Sequence, residues 1–285
     1  MRSVFQQVVS SAVAERDRLA LFLGDIGVYG FREVLRDYPS RAMNIGIMEQ
    51  SMVSFAAGFA RSGFRPVMHT IAPFLVERGL EQLKVDFGYN GLGGVAISVG
   101  APFDYSKLGA THHCPGDLEI IGSIPTAVIK VPVSLTSLAR HLKESLTGVG
   151  FHYLRLSEEN VEDELELLGI TPYGYERHKP GAESAVVIVG VPPKGLLDFL
   201  LATDKNLHIL EDFRHVGLLV EQLIGLRVDV IEYAYEGSTA RYFSSLETPV
   251  LFHGINREFI HDYGEISDLR KLNSLDVASL SQRLK

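Results

Sequence analysis

The sequence predicts an α/β protein: a parallel-sheet domain followed by a smaller α/β domain. Three observations point there. Short, wholly apolar runs such as Leu19-Ala20-Leu21-Phe22-Leu23 and Gly94-Val95-Ala96-Ile97-Ser98-Val99 have the length and character of strands buried on both faces. Segments with helical spacing of apolar residues alternate with them, as in a parallel sheet. Several runs end at Gly, Asp or Pro, which break the strand at its carboxyl end, where ligand groups gather in such sheets.

Residues 3–18 read as a helix on Val4, Phe5, Val8, Val9, Ala12 and Val13, and 19–23 as the first strand, closed by Gly24-Asp25. A short helix spans 31–37. From Met48 the apolar positions Met52, Phe55, Ala56 and Phe59 follow one helical face, and Gly58, Gly63 and Pro66 mark its far end. Strands follow at 65–71, 94–99, 127–131 and 151–156, and helices at 74–87, 117–122 and 134–147. Residues 158–182 begin acidic and are broken by Pro172, Gly174, Pro180 and Gly181. They read as the end of a first domain (1–160) and a linker (161–182) before a second domain (183–285). That second unit carries strands at 185–190, 207–210, 228–231 and 250–252, with helices at 216–224 and 274–284.

Composition narrows the function classes. Of 285 residues, 46% are hydrophobic and 22% charged, an ordinary globular balance. The net charge of −8 argues against nucleic acid or an anionic membrane as partner. A single cysteine, Cys114, rules out an internal disulfide and fits a reducing compartment, so a cytoplasmic location is expected. No apolar run reaches membrane-spanning length, and the first residues lack a leader pattern.

Three stretches can carry chemistry. In Arg41-Ala42-Met43-Asn44-Ile45-Gly46-Ile47-Met48-Glu49-Gln50, an acid sits among apolar neighbours in the first turn of a helix. First turns favour acids in any case, but an acid among Ile45, Ile47 and Met48 needs a partner. Phe74 opens a helix just past a strand end, where an aromatic ring can stack on a flat ligand or simply join the core. Gly109-Ala110-Thr111-His112-His113-Cys114-Pro115-Gly116-Asp117 holds two histidines, better read as proton carriers or substrate contacts than as metal ligands, because no second Cys/His cluster exists. No metal ligands are expected in this chain. There is no phosphate-cradling glycine loop either.

Together these stretches resemble the transketolase family of thiamine-diphosphate enzymes. The match rests on Arg41-x-x-Asn44-x-Gly46-Ile47-x-Glu49-Gln50 with Phe55-Ala56-Ala57-Gly58-Phe59-Ala60-x-x-Gly63. It rests also on Phe74 with Arg78 and Glu81-Gln82, and on Gly109-Ala110-Thr111-His112-His113 with Asp117. It covers the pyrimidine-binding domain and, more weakly, the C-terminal domain. The resemblance implies that Glu49 hydrogen-bonds N1′ of the cofactor's aminopyrimidine and drives it toward the imino form that deprotonates the thiazolium. It also implies that Phe74 stacks on the pyrimidine, that Asp25 lies near the thiazolium and that Arg78 joins the cofactor site. His112, with His113 and Asp117, would face the substrate, and Glu49 and His112 would be the catalytic pair.

The family's Gly-Asp-Gly…Asn pattern for Mg²⁺ and diphosphate is absent, since neither Gly24-Asp25 nor Gly116-Asp117 continues to Gly. The chain therefore resembles the C-terminal subunit of a split transketolase. An N-terminal-type partner subunit would bind Mg²⁺ and the diphosphate within a hetero-oligomer built on a dimer. The resemblance also departs from the sugar-phosphate pattern. Leu108 stands where an aspartate is usual, Glu158 follows Leu156-Ser157 where an arginine is usual, and the basic residue of the long loop falls near Gly100. An acid at 158 would repel a phosphate, so the expected substrate is not an ordinary pentose phosphate, unless Arg78 or Arg155 compensates. Two other readings stay open: a 2-oxo acid or deoxyxylulose-phosphate-synthase-like acyl transfer on the same cofactor, and a non-catalytic scaffold.

Overall fold

The computed structural model describes residues 1–284. Its first sheet has six strands, all parallel, in the order β2-β1-β3-β4-β6-β5: β1 Leu19–Leu23, β2 Ala42–Asn44, β3 Arg65–Ile71, β4 Gly94–Val99, β5 Ala127–Lys130 and β6 Phe151–Leu156. Every residue of β1, β4 and β6 is buried, as the apolar runs require. Alternate side chains serve opposite cores. Leu19, Leu21 and Leu23 of β1 join one apolar cluster, whereas Ala20 and Phe22 join the other. Helices α1 (Arg2–Glu15), α2 (Arg32–Asp37), α3 (Glu49–Arg61), α5 (Asp117–Gly122) and α6 (Leu135–Thr147) clothe the two faces. The helical stretch between β3 and β4, here α4, is less regular than its spacing suggests. It runs as π-helical turns at Phe74–Arg78 and Leu83–Tyr89 around a short α-turn, Leu80–Gln82.

The second sheet also has six strands, ordered β12-β11-β9-β10-β8-β7. Four of them, β9 (Ser184–Val189), β10 (Asn206–Leu210), β11 (Arg227–Tyr235) and β12 (Val250–Ile255), are parallel. The edge is an antiparallel hairpin of β7 (Gly169–Thr171) and β8 (Gly174–Arg177), with β8 antiparallel to β10. This corrects the expected linker: part of 161–182 is sheet. The alternation that betrays a strand is diluted there by Pro172, in the two-residue hairpin turn, and by Gly174, which opens β8. Gly174 is obligatory, because its φ is +147° and a Cβ would lie 2.1 Å from the Ile209 carbonyl oxygen. Also unforeseen were β2, only three residues long, and helices α7 (Leu196–Leu201) and α9 (Ile266–Leu272). Helix α8 (Val216–Leu223) and α10 (Val277–Arg283) lie close to where the spacing put them.

Both apolar clusters continue from one sheet to the other, with Ile188 in the first and Val187 in the second. Charged groups join the two sheets as well. The fully buried Lys130 ammonium of β5 meets Glu144 of α6 at 2.5 Å and Asp212, past β10, at 3.2 Å. Among the described residues no helix is long and apolar enough to cross a membrane.

Candidate active site

The chain leaves β1 to form β2 on one side and returns to form β3 on the other, so the strand order reverses at β1. The crevice beyond the carboxyl ends of β1 and β3 is where open α/β sheets bind ligands. Gly24-Asp25 closes β1, the turn of Asn44 to Met48 closes β2, and Thr70 lies near the end of β3. Gly46, at φ +83°, makes the turn that delivers Glu49 into the crevice as the first residue of α3.

Glu49 has no exposed surface. Its Oε2 accepts from Nη1 of Arg78 at 2.5 Å, and its Oε1 lies 3.4 Å from the Thr70 hydroxyl. The positive end of α3 favours the acid there as well. The Arg78 guanidinium also lies over the Phe74 ring, 4.5 Å from its centre. The Phe74 ring in turn meets His112 edge to face at 5.4 Å. Nδ1 of His112 is 2.9 Å from the Thr111 hydroxyl. The fold thus brings Glu49, Phe74, Arg78 and His112, which are scattered along the sequence, into one continuous set of contacts.

Asp25 stands at the mouth, in the left-handed region at φ +58° and exposed to solvent. Asn44 holds it there. The Asn44 side chain accepts from the Asp25 N–H at 3.0 Å and donates to the Asp25 carboxylate at 2.9 Å. The same oxygen accepts from Gly46 N–H at 3.2 Å, so one amide ties the β1 loop to the turn before Glu49. Arg41, from the same motif, works elsewhere: it donates to the Val13, Arg16 and Leu19 carbonyls, from the end of α1 to the start of β1.

Two expected substrate contacts sit differently. Asp117 is fully buried, accepts from the Tyr153 hydroxyl at 2.7 Å and pairs with Nε of Arg155 at 3.3 Å. Burial pushes its carboxyl up, against the pull of Arg155. Its loop position made it look accessible, yet it opens α5 beneath the loop and faces β6. Arg155, 3% exposed, also donates from Nη2 to the Tyr233 carbonyl, while its Nη1 has no partner among the described residues. His113 is 5% exposed, and both its ring nitrogens lack partners; burial draws it toward the neutral form. Cys114 is buried against Glu77, which excludes it as an open ligand.

Residues that sequence reasoning missed are Thr70 and Gly24, which flank Glu49. A Cβ on Gly24 would lie 2.8 Å from the Thr70 Cβ and 3.5 Å from Glu49 Oε1. A threonine near a strand end and a glycine at a turn carry no chemical signature of their own. Away from the crevice, His141, Glu144 and Asp212 converge closely enough to hold a metal ion, but the Lys130 ammonium already sits among them.

The transketolase pyrimidine-binding-domain family model matches residues 1–164. A protein of Rhodococcoides fascians, described as an uncharacterized 33.6 kDa protein in the fasciation locus, is 33% identical over 100% of this chain and 93% of its own length. An apulose-4-phosphate transketolase subunit of Actinobacillus succinogenes is 32% identical over 45% of this chain and 42% of its own length. The chain spans less than half the length of that relative and of the 1-deoxy-D-xylulose-5-phosphate synthases it also matches. Among solved structures, a split-gene transketolase described as an inactive beta4 tetramer superposes with a TM-score of 0.81 at 19% identity. That match covers 99% of this chain and 95% of the other. With the family model covering more than half the chain, and a parallel-sheet domain joined to a mixed-sheet domain as in that fold, the chain belongs to the transketolase family.

Proposed function

We propose that this chain is the pyrimidine-binding subunit of a split, thiamine-diphosphate-dependent transketolase, moving a two-carbon ketol unit from a ketose-type donor to an aldehyde acceptor. The observation that carries the reading is the Glu49 carboxylate, wholly buried and sharing one slot with the face of Phe74. A flat guanidinium fills that slot in the chain alone. Its shape and donors are those of a flat nitrogenous ring that must stack and hydrogen-bond at once, so the residues fit an aminopyrimidine. Arg78, 40% exposed, is the wall that can yield.

Bound there, the cofactor supplies the nucleophilic carbon that ketol transfer requires. With the ring in the slot the guanidinium now fills, Glu49 would present Oε2, the oxygen that Arg78 holds, and would hold or release a proton there, out of solvent. Phe74 fixes the ring plane. Thr111, bonded to Nδ1 of His112, leaves Nε2 of that imidazole to face a substrate oxygen. Asp25 places a negative charge at the mouth, suited to a cationic thiazolium.

A partner subunit that holds Mg²⁺ and the diphosphate belongs to this reading. The relative named as one subunit of a transketolase and the split-gene structure support it. So do the large apolar side chains left exposed beside Glu49: Ile47, Met48 and Phe55. The substrate departs from ordinary pentose phosphates. Arg155 is buried and paired with Asp117, and Glu158 lies at the loop edge, paired with the half-exposed Arg2.

The test is reconstitution with a partner carrying the Gly-Asp-Gly…Asn pattern. Chain and partner together should turn over hydroxypyruvate with an aldehyde acceptor in the presence of thiamine diphosphate and Mg²⁺, whereas the chain alone should not. Glu49→Gln should lower kcat by about 10²-fold or more. Full activity of the chain alone, or an unaffected Glu49→Gln complex, refutes the reading. Turnover of pyruvate in place of hydroxypyruvate would transfer it to acyl chemistry.

A further inference from the structure

The Thr70 hydroxyl has two acceptors and one proton. It lies 3.2 Å from the Gly24 carbonyl oxygen and 3.4 Å from Oε1 of Glu49. Neither is the roughly 2.7–2.8 Å of a settled O–H···O bond, so the hydroxyl stands between two sites. Thr70 is 1% exposed and Glu49 not exposed at all, so solvent does not make up the difference. The other carboxylate oxygen, Oε2, is held by Arg78.

A hydroxyl can donate one bond and accept two. When Glu49 is ionised, Thr70 can donate to Oε1. When Glu49 carries its proton on Oε2, toward the slot, Oε1 is a weaker acceptor and Thr70 can donate to the Gly24 carbonyl instead. The same three atoms serve both charge states, and only one O–H rotates between them.

The backbone around this contact keeps the hydroxyl in place. Gly24 N–H donates to the His69 carbonyl at 2.9 Å, which locks the end of β1 to β3 one residue before Thr70. A side chain on Gly24 would press on both Thr70 Cβ (2.8 Å) and Thr70 Oγ1 (2.9 Å). Only glycine lets the β1 carbonyl come this close. The β-branched Thr70, in turn, has few χ1 choices in a strand, so its methyl holds the oxygen on the Glu49 side.

We propose that Thr70, with the Gly24 carbonyl behind it, is a positioning residue for Glu49: a hydroxyl relay that turns to Oε1 when the buried acid gives up its proton from Oε2. The inference rests on the reading of Glu49 as the group that faces the cofactor's pyrimidine. It goes beyond that reading by assigning a role to two residues outside the contact with the ring. As a proton left Oε2 for the slot, the charge remaining on the carboxylate would draw the Thr70 O–H from the Gly24 oxygen to Oε1. No atom of Thr70 is gained or lost.

The test is calorimetric titration of thiamine diphosphate and Mg²⁺ into the complex of this chain with its partner subunit. Thr70→Val keeps the shape and removes the hydroxyl. It should weaken binding about tenfold or more, since a buried carboxylate and a carbonyl lose a shared donor. Thr70→Ser should bind within about threefold of the wild type, because the hydroxyl returns. Thr70→Ala, which cannot overpack, should repeat the loss and covers a failure of the valine variant to fold. Gly24→Ala should resemble Thr70→Val. Wild-type binding by Thr70→Val, or a loss in Thr70→Ser as large as in Thr70→Val, overturns the relay while leaving the cofactor reading intact. A folded wild-type complex that binds no thiamine diphosphate removes the reading and the relay with it.

Discussion

Glu49 shows how a single residue takes its chemistry from its surroundings. The same carboxylate in the first turn of an exposed helix would be a solvated dipole partner. Here Gly46 turns it inward, Arg78 and Thr70 take its two oxygens, and Phe74 faces the same slot. Other buried polar residues have a purely structural part. His208 of β10 is fully buried, 3.0 Å from the Tyr173 hydroxyl, and burial draws its imidazole down to about 4. The unfolded chain therefore takes up a proton below about pH 6.5 that the folded chain refuses until about pH 4. The stability held by neutral His208 at pH 7 is lost as pH falls through that window. Replacing it by His208→Gln should shift the unfolding free energy toward the variant by about 2 kcal/mol between pH 7 and pH 5. Urea unfolding of both proteins at the two pH values measures this, and a constant difference would contradict it.

At the scale of elements, the ends decide where chemistry goes. β1 is a plain apolar support, and the neighbouring carboxyl ends of β1, β2 and β3 bring Asp25, the turn before Glu49 and Thr70 together. Asn44 matters here because it bonds to two of those loops at once. Helix α6 shows an element held by its cap. The Ser134 hydroxyl accepts from the Ser137 N–H at 2.9 Å, and Ser137 returns the contact to the Ser134 N–H at 3.2 Å, all out of solvent. Ser134→Ala should cost about 1 kcal/mol, read as a lower midpoint in chemical denaturation with an unchanged slope. The π-helical turns of α4 carry Phe74 and Arg78 on the first of them, so that Arg78 lies over the Phe74 ring.

Across the whole molecule, two sheets share both apolar layers and a buried charge cluster. Lys130 comes from the first sheet and Asp212 from the second, and Arg214 adds a second cation to Asp212 at 2.6 Å. Two cations hold the Asp212 carboxyl down at about 2, against the cost of its burial. Removing the ammonium by Lys130→Met leaves Glu144 and Asp212 facing each other without it. The loss should be about 3–5 kcal/mol, measured by thermal or urea unfolding. A stable variant would mean that the apolar layers alone join the sheets.

Much of the architecture was legible along the chain, because a parallel strand buried on both faces must be apolar throughout and a helix between strands must show its period. The signature around Glu49, the aromatic at 74 and the histidine at 112 were also legible, because each is an unusual residue for its place: an acid among isoleucines, a ring past a strand end, a basic group in a glycine loop. What the linear order concealed depends on which atoms meet. Asp117 looked open and is sealed against Arg155 and Tyr153. The segment around Gly174 looked like a linker and pairs into the second sheet. Thr70 and Gly24 gave no sign, since a hydroxyl and a missing side chain acquire meaning only from an acid 21 residues from Thr70 that folding brings within 3.4 Å. Periodicity and residue chemistry are properties of neighbours in sequence. Accessibility and hydrogen-bond partnership are properties of neighbours in space, and only the folded chain creates those.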